Sequence, residues 1–255
     1  DFQVVGKENL SSTISPSVLD LGLMDMAQLR PGIISPATGK ATYGYVTEAI
    51  DACLAGQVDA VATCPANKEA MKSAGVPHPG HTEIFAERTQ SKRFCMAFIS
   101  ETISCSLVAV HAGYTEVPGL LSEERIIDVI ELTRETHEKL LGKEPSIGIC
   151  GLNPHAGENG LFGNGEEERI IIPAIEKTRA KGFNLTGPLP PDTAFTESMR
   201  RQIDAYVCMY HDQGLIPVKA LAFEEAVNVT LGLPLVRTSV DHGTALDIAW
   251  QGKAD

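Results

Sequence analysis

The chain has 255 residues, 43% of them hydrophobic, enough to bury a core as one large domain or two lobes, and disorder is excluded. Its formal net charge of −12 would repel a phosphate backbone, and no Lys/Arg run interrupts that field, so neither nucleic acid nor an anionic membrane is an expected partner. No apolar run approaches the ~18 residues of a membrane span, and no charged-then-apolar leader opens the chain. The six cysteines are scattered without a C-x-x-C pair. They read as reduced, buried thiols of a cytoplasmic protein.

From about residue 40 onward strand-like and helix-like runs alternate, the pattern of an α/β domain with a largely parallel or mixed sheet. In chain order the runs predict a helix over 40–55, strands over 58–63, 94–99 and 105–110, and a helix over 123–141. A strand over 146–151, a helix over 166–181 and a strand over 205–210 follow. In the second helix Ile126, Ile130, Thr133, His137 and Leu140 share one face, which gives His137 a packing role. Ser122 is its N-cap, and Glu123 and Glu124 favour its positive end. Glu166, Glu167 and Glu168 read as a charged helix start, and Gly187-Pro-Leu-Pro-Pro-Asp192 as a loop. No composition shift marks a boundary between lobes.

Three histidines sit at or just beyond the ends of strand-like runs: His111, His155 and His211. Ligands of α/β sheets gather beyond the carboxyl ends of strands, so three imidazoles could meet there, in a set assembled by the fold rather than by a local motif. Neutral imidazole suits zinc and other divalent first-row ions, and three such ligands leave positions open for substrate. Taken singly, a histidine at a strand end is more often a loop or core residue than a ligand. His81 follows Gly80 at a predicted helix start, where backbone N–H groups and the Thr82 hydroxyl could meet an anion; a plain helix cap is the alternative. Lys219, Asn228 and Arg237 supply the donors a phosphate or carboxylate needs, or are solvated surface groups. Gly160-Leu-Phe-Gly163-Asn-Gly165 is not a dinucleotide fingerprint, and Ala37-Thr-Gly-Lys-Ala41 is not a P-loop.

These residues fall in a recognisable order. Pro79-Gly-His-Thr-Glu83, Gly151-Leu-Asn-Pro-His-Ala-Gly-Glu158, Met209-Tyr-His-Asp-Gln-Gly214, Val227-Asn-Val-Thr-Leu-Gly-Leu-Pro234 and Arg237-Thr-Ser-Val-Asp-His-Gly-Thr-Ala245 resemble the 4-hydroxythreonine-4-phosphate dehydrogenase (PdxA) family of pyridoxine biosynthesis. The resemblance runs from about Thr38 to the end of the chain. It implies an isocitrate-dehydrogenase-like fold of two α/β lobes around a cleft, one family-type domain over 1–255, and a homodimer with the site at the subunit interface. It implies that His111, His155 and His211 bind a divalent metal such as zinc, magnesium or cobalt. His81, Thr82, Lys219, Asn228 and Arg237 would hold a small phosphorylated substrate, and Lys219, Asp192 and Asp212 are the catalytic candidates. The loop His242, Gly243, Thr244 and Ala245 is similar to the adenosine-binding loop of isocitrate dehydrogenases, which implies NAD or NADP.

The implied reaction is oxidation of the C3 hydroxyl of 4-(phosphonooxy)-L-threonine, 4-phospho-D-threonate or 4-phospho-D-erythronate, followed by decarboxylation. Trp250 and the run Glu158-Asn-Gly-Leu-Phe-Gly163 resemble the threonate and erythronate branch. The family's early Gly-Asp-Pro-Ala-Gly strand and loop are not in the sequence, which reads as truncated at both ends. A metal-dependent hydrolase and a non-catalytic phosphate- or metal-binding protein are the competing classes.

Overall fold

A computed structural model describes residues 2–12, 15–78 and 80–254; Asp1 and Pro79, the latter opening the first family motif, lie outside the described residues. Among these the strands are β1 (Gln3–Val5), β2 (Ser17–Leu19), β3 (Ala60–Thr63), β4 (Cys95–Ile99), β5 (Cys105–Leu107), β6 (Ile147–Cys150), β7 (Leu185–Leu189), β8 (Ala205–Cys208), β9 (Val227–Leu231) and β10 (Val236–Ser239). The helices are α1 (Pro36–Leu54), α2 (Lys68–Ser73), α3 (His81–Arg88), α4 (Val117–Leu120), α5 (Glu123–Leu141), α6 (Ile172–Arg179), α7 (Glu197–Arg200) and α8 (His211–Ala222). A π turn, Glu167–Ile171, leads into α6. Among the described residues no helix is long and apolar enough to cross a membrane.

The chain divides into two compact units. The first joins the stretch up to Lys92 to that from Leu233 onward. In it β3 and β10 run parallel, with Val61 opposite Arg237 and Thr63 opposite Ser239. Its core gathers Val46 and Ile50 of α1, Val61, Met71 of α2, and Ile84 and Phe85 of α3. Helix α1 starts where the sequence offers Ser35 and Pro36: the serine side chain accepts from Thr38 N at 3.2 Å, and proline's fixed φ suits the first helical position.

The second unit spans Arg93–Gly232 and carries a mixed sheet in the order β9-β4-β5-β8-β6-β7. Strand β4 is antiparallel to β9 and β5, and the remaining pairs are parallel. Every residue of β6 and β8 is buried, as expected of parallel strands covered on both faces. Alternation sorts the two cores: Val207 joins Ile126, Val129 and Ile130 of α5, whereas Tyr206 and Cys208 join Leu215, Val218 and Ala222 of α8. Ser122 caps α5 by accepting from Arg125 N at 3.1 Å, and left-handed Gly142 ends it. Arg125 fastens the helix to the neighbouring backbone, Nε donating to Val108 O at 3.1 Å and Nη1 to Phe94 O at 2.8 Å.

The predicted strands and helices form, with ends displaced by a few residues. Three expectations change. The Gly187–Asp192 stretch is not wholly loop, because β7 runs through Leu189. Leu140 is 61% exposed, since the buried stripe of α5 stops at His137, whose Nδ1–H donates to Thr133 O at 2.9 Å. Cys64 is exposed beyond β3 and Cys53 half-buried, while Cys95, Cys105, Cys150 and Cys208 are core thiols.

Ile130 is fully buried between α5 and the sheet. Ile130→Ala should cost about 2–5 kcal/mol through lost burial and a residual cavity. Thermal unfolding should show a Tm lower by roughly 5–15 °C, and an unchanged Tm would refute this packing.

Candidate active site

The strand ends of the second unit carry the predicted histidines. His111 lies four residues past β5, His155 in the 3-10 turn Pro154–Gly157 after β6, and His211 opens α8 after β8. His111 and His211 line one cavity of about 260 Å³, together with Val110, Ala112, Tyr114, Val117, Tyr210 and Asp212. Their ring centroids are 6.2 Å apart, with the planes tilted 35°. The His211 ring is oriented by Asp212, its Nδ1–H donating to Oδ1 at 2.7 Å. That arrangement leaves Nε2 as an electron-pair donor, the usual carboxylate-backed form of a metal-binding histidine.

His155 is held differently. Its Nδ1–H donates to Glu158 Oε2 at 3.1 Å, and its ring stands edge-on to Phe162 at 5.8 Å. The loop runs through left-handed backbone at His155 (φ 53°), Ala156 (φ 51°), Glu158 (φ 43°) and Asn159 (φ 56°). Each such non-glycine residue costs about 1–2 kcal/mol. The compensation comes from two buried carboxylates. Glu167 accepts from Leu152 N at 2.8 Å, from Asn153 N at 2.8 Å and from Asn153 Nδ2 at 2.9 Å. Glu166 accepts from Asn153 Nδ2 at 3.0 Å and from Asn164 N at 2.8 Å. Hydrogen bonds to an ionised group contribute about 1.5–3 kcal/mol each, enough to hold the loop. These glutamates do open the helical segment, as expected, but Glu166 and Glu167 are not a solvated charged start: they are 3% and 0% exposed. Gly157 is required beside them, because at φ +81° a Cβ would stand 2.8 Å from Glu167 Oε2.

Among the described residues no group of three His, Cys, Asp or Glu side chains is placed to hold a metal ion. The pair His111 and His211 fits a divalent ion by donor type, and His155 is not grouped with it within the chain. Lys219 lies on α8 eight residues beyond His211, about 12 Å along the axis, with its Nζ 5.5 Å from the Phe223 ring centroid. It does not line the histidine cavity, nor do exposed Asp192 and buried Asn228, whose Oδ1 has no hydrogen-bond partner among the described residues. Tyr114 and Tyr210 were given no role by the sequence, yet they wall that cavity edge to face at 5.6 Å. Their places beside His111 and His211 were the available signal. Burial, then neighbouring Tyr114, pushes the Tyr210 hydroxyl pKa up.

The first unit gathers the other predicted donors. Arg237, on β10 and 2% exposed, donates from Nη2 to Thr63 Oγ1 at 2.8 Å, and the same nitrogen is 3.5 Å from His81 Nδ1. Its guanidinium carbon lies 5.5 Å from the Phe85 ring centroid. His81 and Thr82 open α3, whose N-cap, Gly80, makes no side-chain cap hydrogen bond. Thr63 and Phe85 are the additions here, brought in by parallel register and by the α3 turn rather than by any motif. Burial holds His81 down to about 4, the Arg237 charge adding to it, and burial lowers Arg237 to about 10 against the pull of Glu83. At neutral pH the pair is thus a neutral imidazole beside a guanidinium cation.

The His242–Ala245 loop belongs to this unit. Thr244 lines a cavity of about 240 Å³ with Ile33, Ile34, Leu246 and Trp250, while His242 Nδ1–H turns to Gly243 O at 2.9 Å.

The family model of the pyridoxal phosphate biosynthetic protein PdxA matches residues 3–255. The chain belongs to the PdxA family. It is 48% identical over 239 residues to the 4-hydroxythreonine-4-phosphate dehydrogenase of Desulforapulum autotrophicum, covering 93% of this chain and 70% of that one. It is 43% identical over 238 residues to the D-threonate 4-phosphate dehydrogenase of Pectobacterium atrosepticum, covering 93% and 73%. A crystal structure of 4-hydroxythreonine-4-phosphate dehydrogenase from Klebsiella pneumoniae matches with a TM-score of 0.90 at 41% identity, over 100% of this chain and 78% of that one. The PdxA-family chain is thus a dehydrogenase with the isocitrate-dehydrogenase-like α/β fold.

Two predictions concern these groups. The His81 imidazole should titrate near pH 4 by NMR, and Arg237→Met should raise that midpoint yet leave it below the ordinary 6.5, because burial is the larger cause. Unfolded His81 binds its proton at about 6.5 and the folded form only near 4. Its contribution to stability is therefore complete above 6.5 and declines as pH falls towards 4. A midpoint at 6.5 would contradict the geometry. Separately, Glu167→Gln turns an amide NH₂ towards donors and should cost about 1–3 kcal/mol, read as a lower denaturant midpoint; an unshifted midpoint would deny the carboxylate its role.

Proposed function

We propose that this chain is an NAD-linked, divalent-metal-dependent dehydrogenase that oxidises the C3 hydroxyl of a four-carbon, 4-phosphorylated hydroxy acid. Support comes chiefly from the paired imidazoles of His111 and His211 in one cavity, with Asp212 behind His211. The names of the relatives supply the substrate class: 4-hydroxythreonine 4-phosphate for one group and D-threonate 4-phosphate for another.

His111 and His211 would hold the cation, and in a homodimer with an interfacial site His155 of a second copy is the third ligand. Thr244 and the apolar wall around Trp250 would receive the adenosine end of the nicotinamide cofactor. When bound, the cation polarises the hydroxyl oxygen and the nicotinamide takes up the hydride. The chain's own residues do the remaining work. Arg237, with neutral His81, the Thr82 hydroxyl and the α3 N-terminus, binds an anionic end of the substrate. Asn228 offers an unpartnered buried carbonyl as acceptor for a substrate hydroxyl. A water held by Asp212, which lines the histidine cavity, accepts the hydroxyl proton. Loss of hydride from C3 and of that proton leaves a β-keto acid, which releases CO2.

The test is reduction of NAD or NADP with each of 4-(phosphonooxy)-L-threonine, 4-phospho-D-threonate and 4-phospho-D-erythronate, with and without a chelator. Turnover on at least one is expected, abolished by chelation and restored by zinc, magnesium or cobalt. His211→Ala should lower kcat at least 100-fold, and Arg237→Met should chiefly raise KM. No turnover on any substrate with metal present would reject the proposal. If calorimetry with metal then showed no NAD binding, a hydrolase sharing the histidines would be favoured.

A further inference from the structure

Strands β6 and β8 are neighbours, with Ile149 paired to Val207 as the last matched residues before the strands part. The chain beyond β6 leads to His155 and that beyond β8 to His211. One side chain spans the gap between them. Gln213, the third residue of α8 and 6% exposed, accepts from Met209 N through Oε1 at 2.6 Å and donates from Nε2 to Gly151 O at 2.7 Å. Its primary amide thus stands in for a peptide group and extends the β6–β8 ladder by one rung. Met209 is bound on its other side as well, its carbonyl accepting from Ala109 N at 3.1 Å, two residues before His111. Gly151 is followed by Leu152 and Asn153, the two residues gripped by Glu167. Gln213 therefore sits where the backbones leading to all three histidines meet.

We propose that Gln213 is a positioning residue: it fixes the His211 turn to the His155 loop and, through Met209, to the His111 segment, so that His111 and His211 present ring nitrogens to one divalent cation and His155 presents its own to that of a second copy. The inference rests on the metal-dependent reading above. No other residue type fulfils both tasks at this length. Glutamate keeps the acceptor for Met209 N but sets a carboxylate oxygen against the Gly151 carbonyl, methionine fills the volume with neither group, and asparagine is one methylene short.

The experiment compares Gln213→Met and Gln213→Glu with the parent protein by three readouts: hydrogen exchange of the 151–158 and 209–212 segments, Co2+ affinity from the visible spectrum, and kcat against KM. In both variants exchange should quicken in those two segments and in 109–112, which Met209 holds, and not elsewhere. Co2+ should bind about 10- to 100-fold more weakly, the range for loss of a group that orients metal ligands. The kcat should fall while KM for the phosphorylated substrate stays within about twofold, because Arg237 and His81 lie in the other unit. Unchanged exchange in the His155 loop of either folded variant, or Co2+ affinity within twofold of the parent, would overturn the proposal. If the parent binds no Co2+, the metal reading fails by itself, and the exchange measurement alone decides whether Gln213 clamps the loops. Should Gln213→Met not fold, Gln213→Glu, which retains the Met209 bond, carries the same comparison.

Discussion

A fully buried carboxylate, that of Glu167, is the constraint on which the His155 loop depends. Burying a charge is unfavourable unless its oxygens are saturated with donors. Here the donors are consecutive backbone amides, Leu152 and Asn153, and the Asn153 side chain. The carboxylate and the loop thus support each other: without the loop the charge is stranded, and without the charge the left-handed run at His155 and Ala156 loses three of the hydrogen bonds that balance its strain. The π turn at Glu167–Ile171 belongs to the same arrangement. Such turns are uncommon and concentrate at functional sites, and this one begins at the residue that grips the loop.

How much of this could be read from residues alone differs by element. Buried parallel strands announce themselves as short apolar runs, so β6 and β8 were legible from Ile147-Gly-Ile-Cys150 and Ala205-Tyr-Val-Cys208. β9 was not, because Val227-Asn-Val-Thr-Leu231 is interrupted by the polar Asn228 and Thr230. β7 was hidden by Gly187 and Pro188, residues that ordinarily mark a turn. Helix α8 contains Gly214 and Pro217, both unfavourable in helix interiors, and forms because Leu215, Val218 and Ala222 pack against the sheet. In each case tertiary burial outweighs local preference.

The site was legible to a similar and equally explicable degree. Strand-end placement singled out the histidines as candidates, since the positions beyond β5, β6 and β8 follow from the strands themselves. The groups that hold them in place were missed, because Glu167 and Gln213 act through backbone atoms up to 62 residues away in sequence. A run of three glutamates looks solvated, and only the folded chain shows that Glu166 and Glu167 are inside while Glu168 is exposed. Polar residues that organise backbone leave no periodic trace, unlike apolar residues that organise a core.

The charge balance also acquires a physical meaning. A net charge of −12 disfavours approach of any anion over long range, so an anionic substrate must be captured by something local. In the proposed function Arg237 would meet that need through its burial: in a low-dielectric setting its attraction for an anion is stronger than at the surface and less weakened by salt. The same burial lowers its own pKa to about 10, still well above neutrality, so it remains a cation, whereas the same setting leaves His81 neutral. The protein thus places one fixed positive charge beside a neutral imidazole. Under the proposed function, an anion bound there would offset the desolvation that lowers the Arg237 pKa, adding to the pull that Glu83 already exerts.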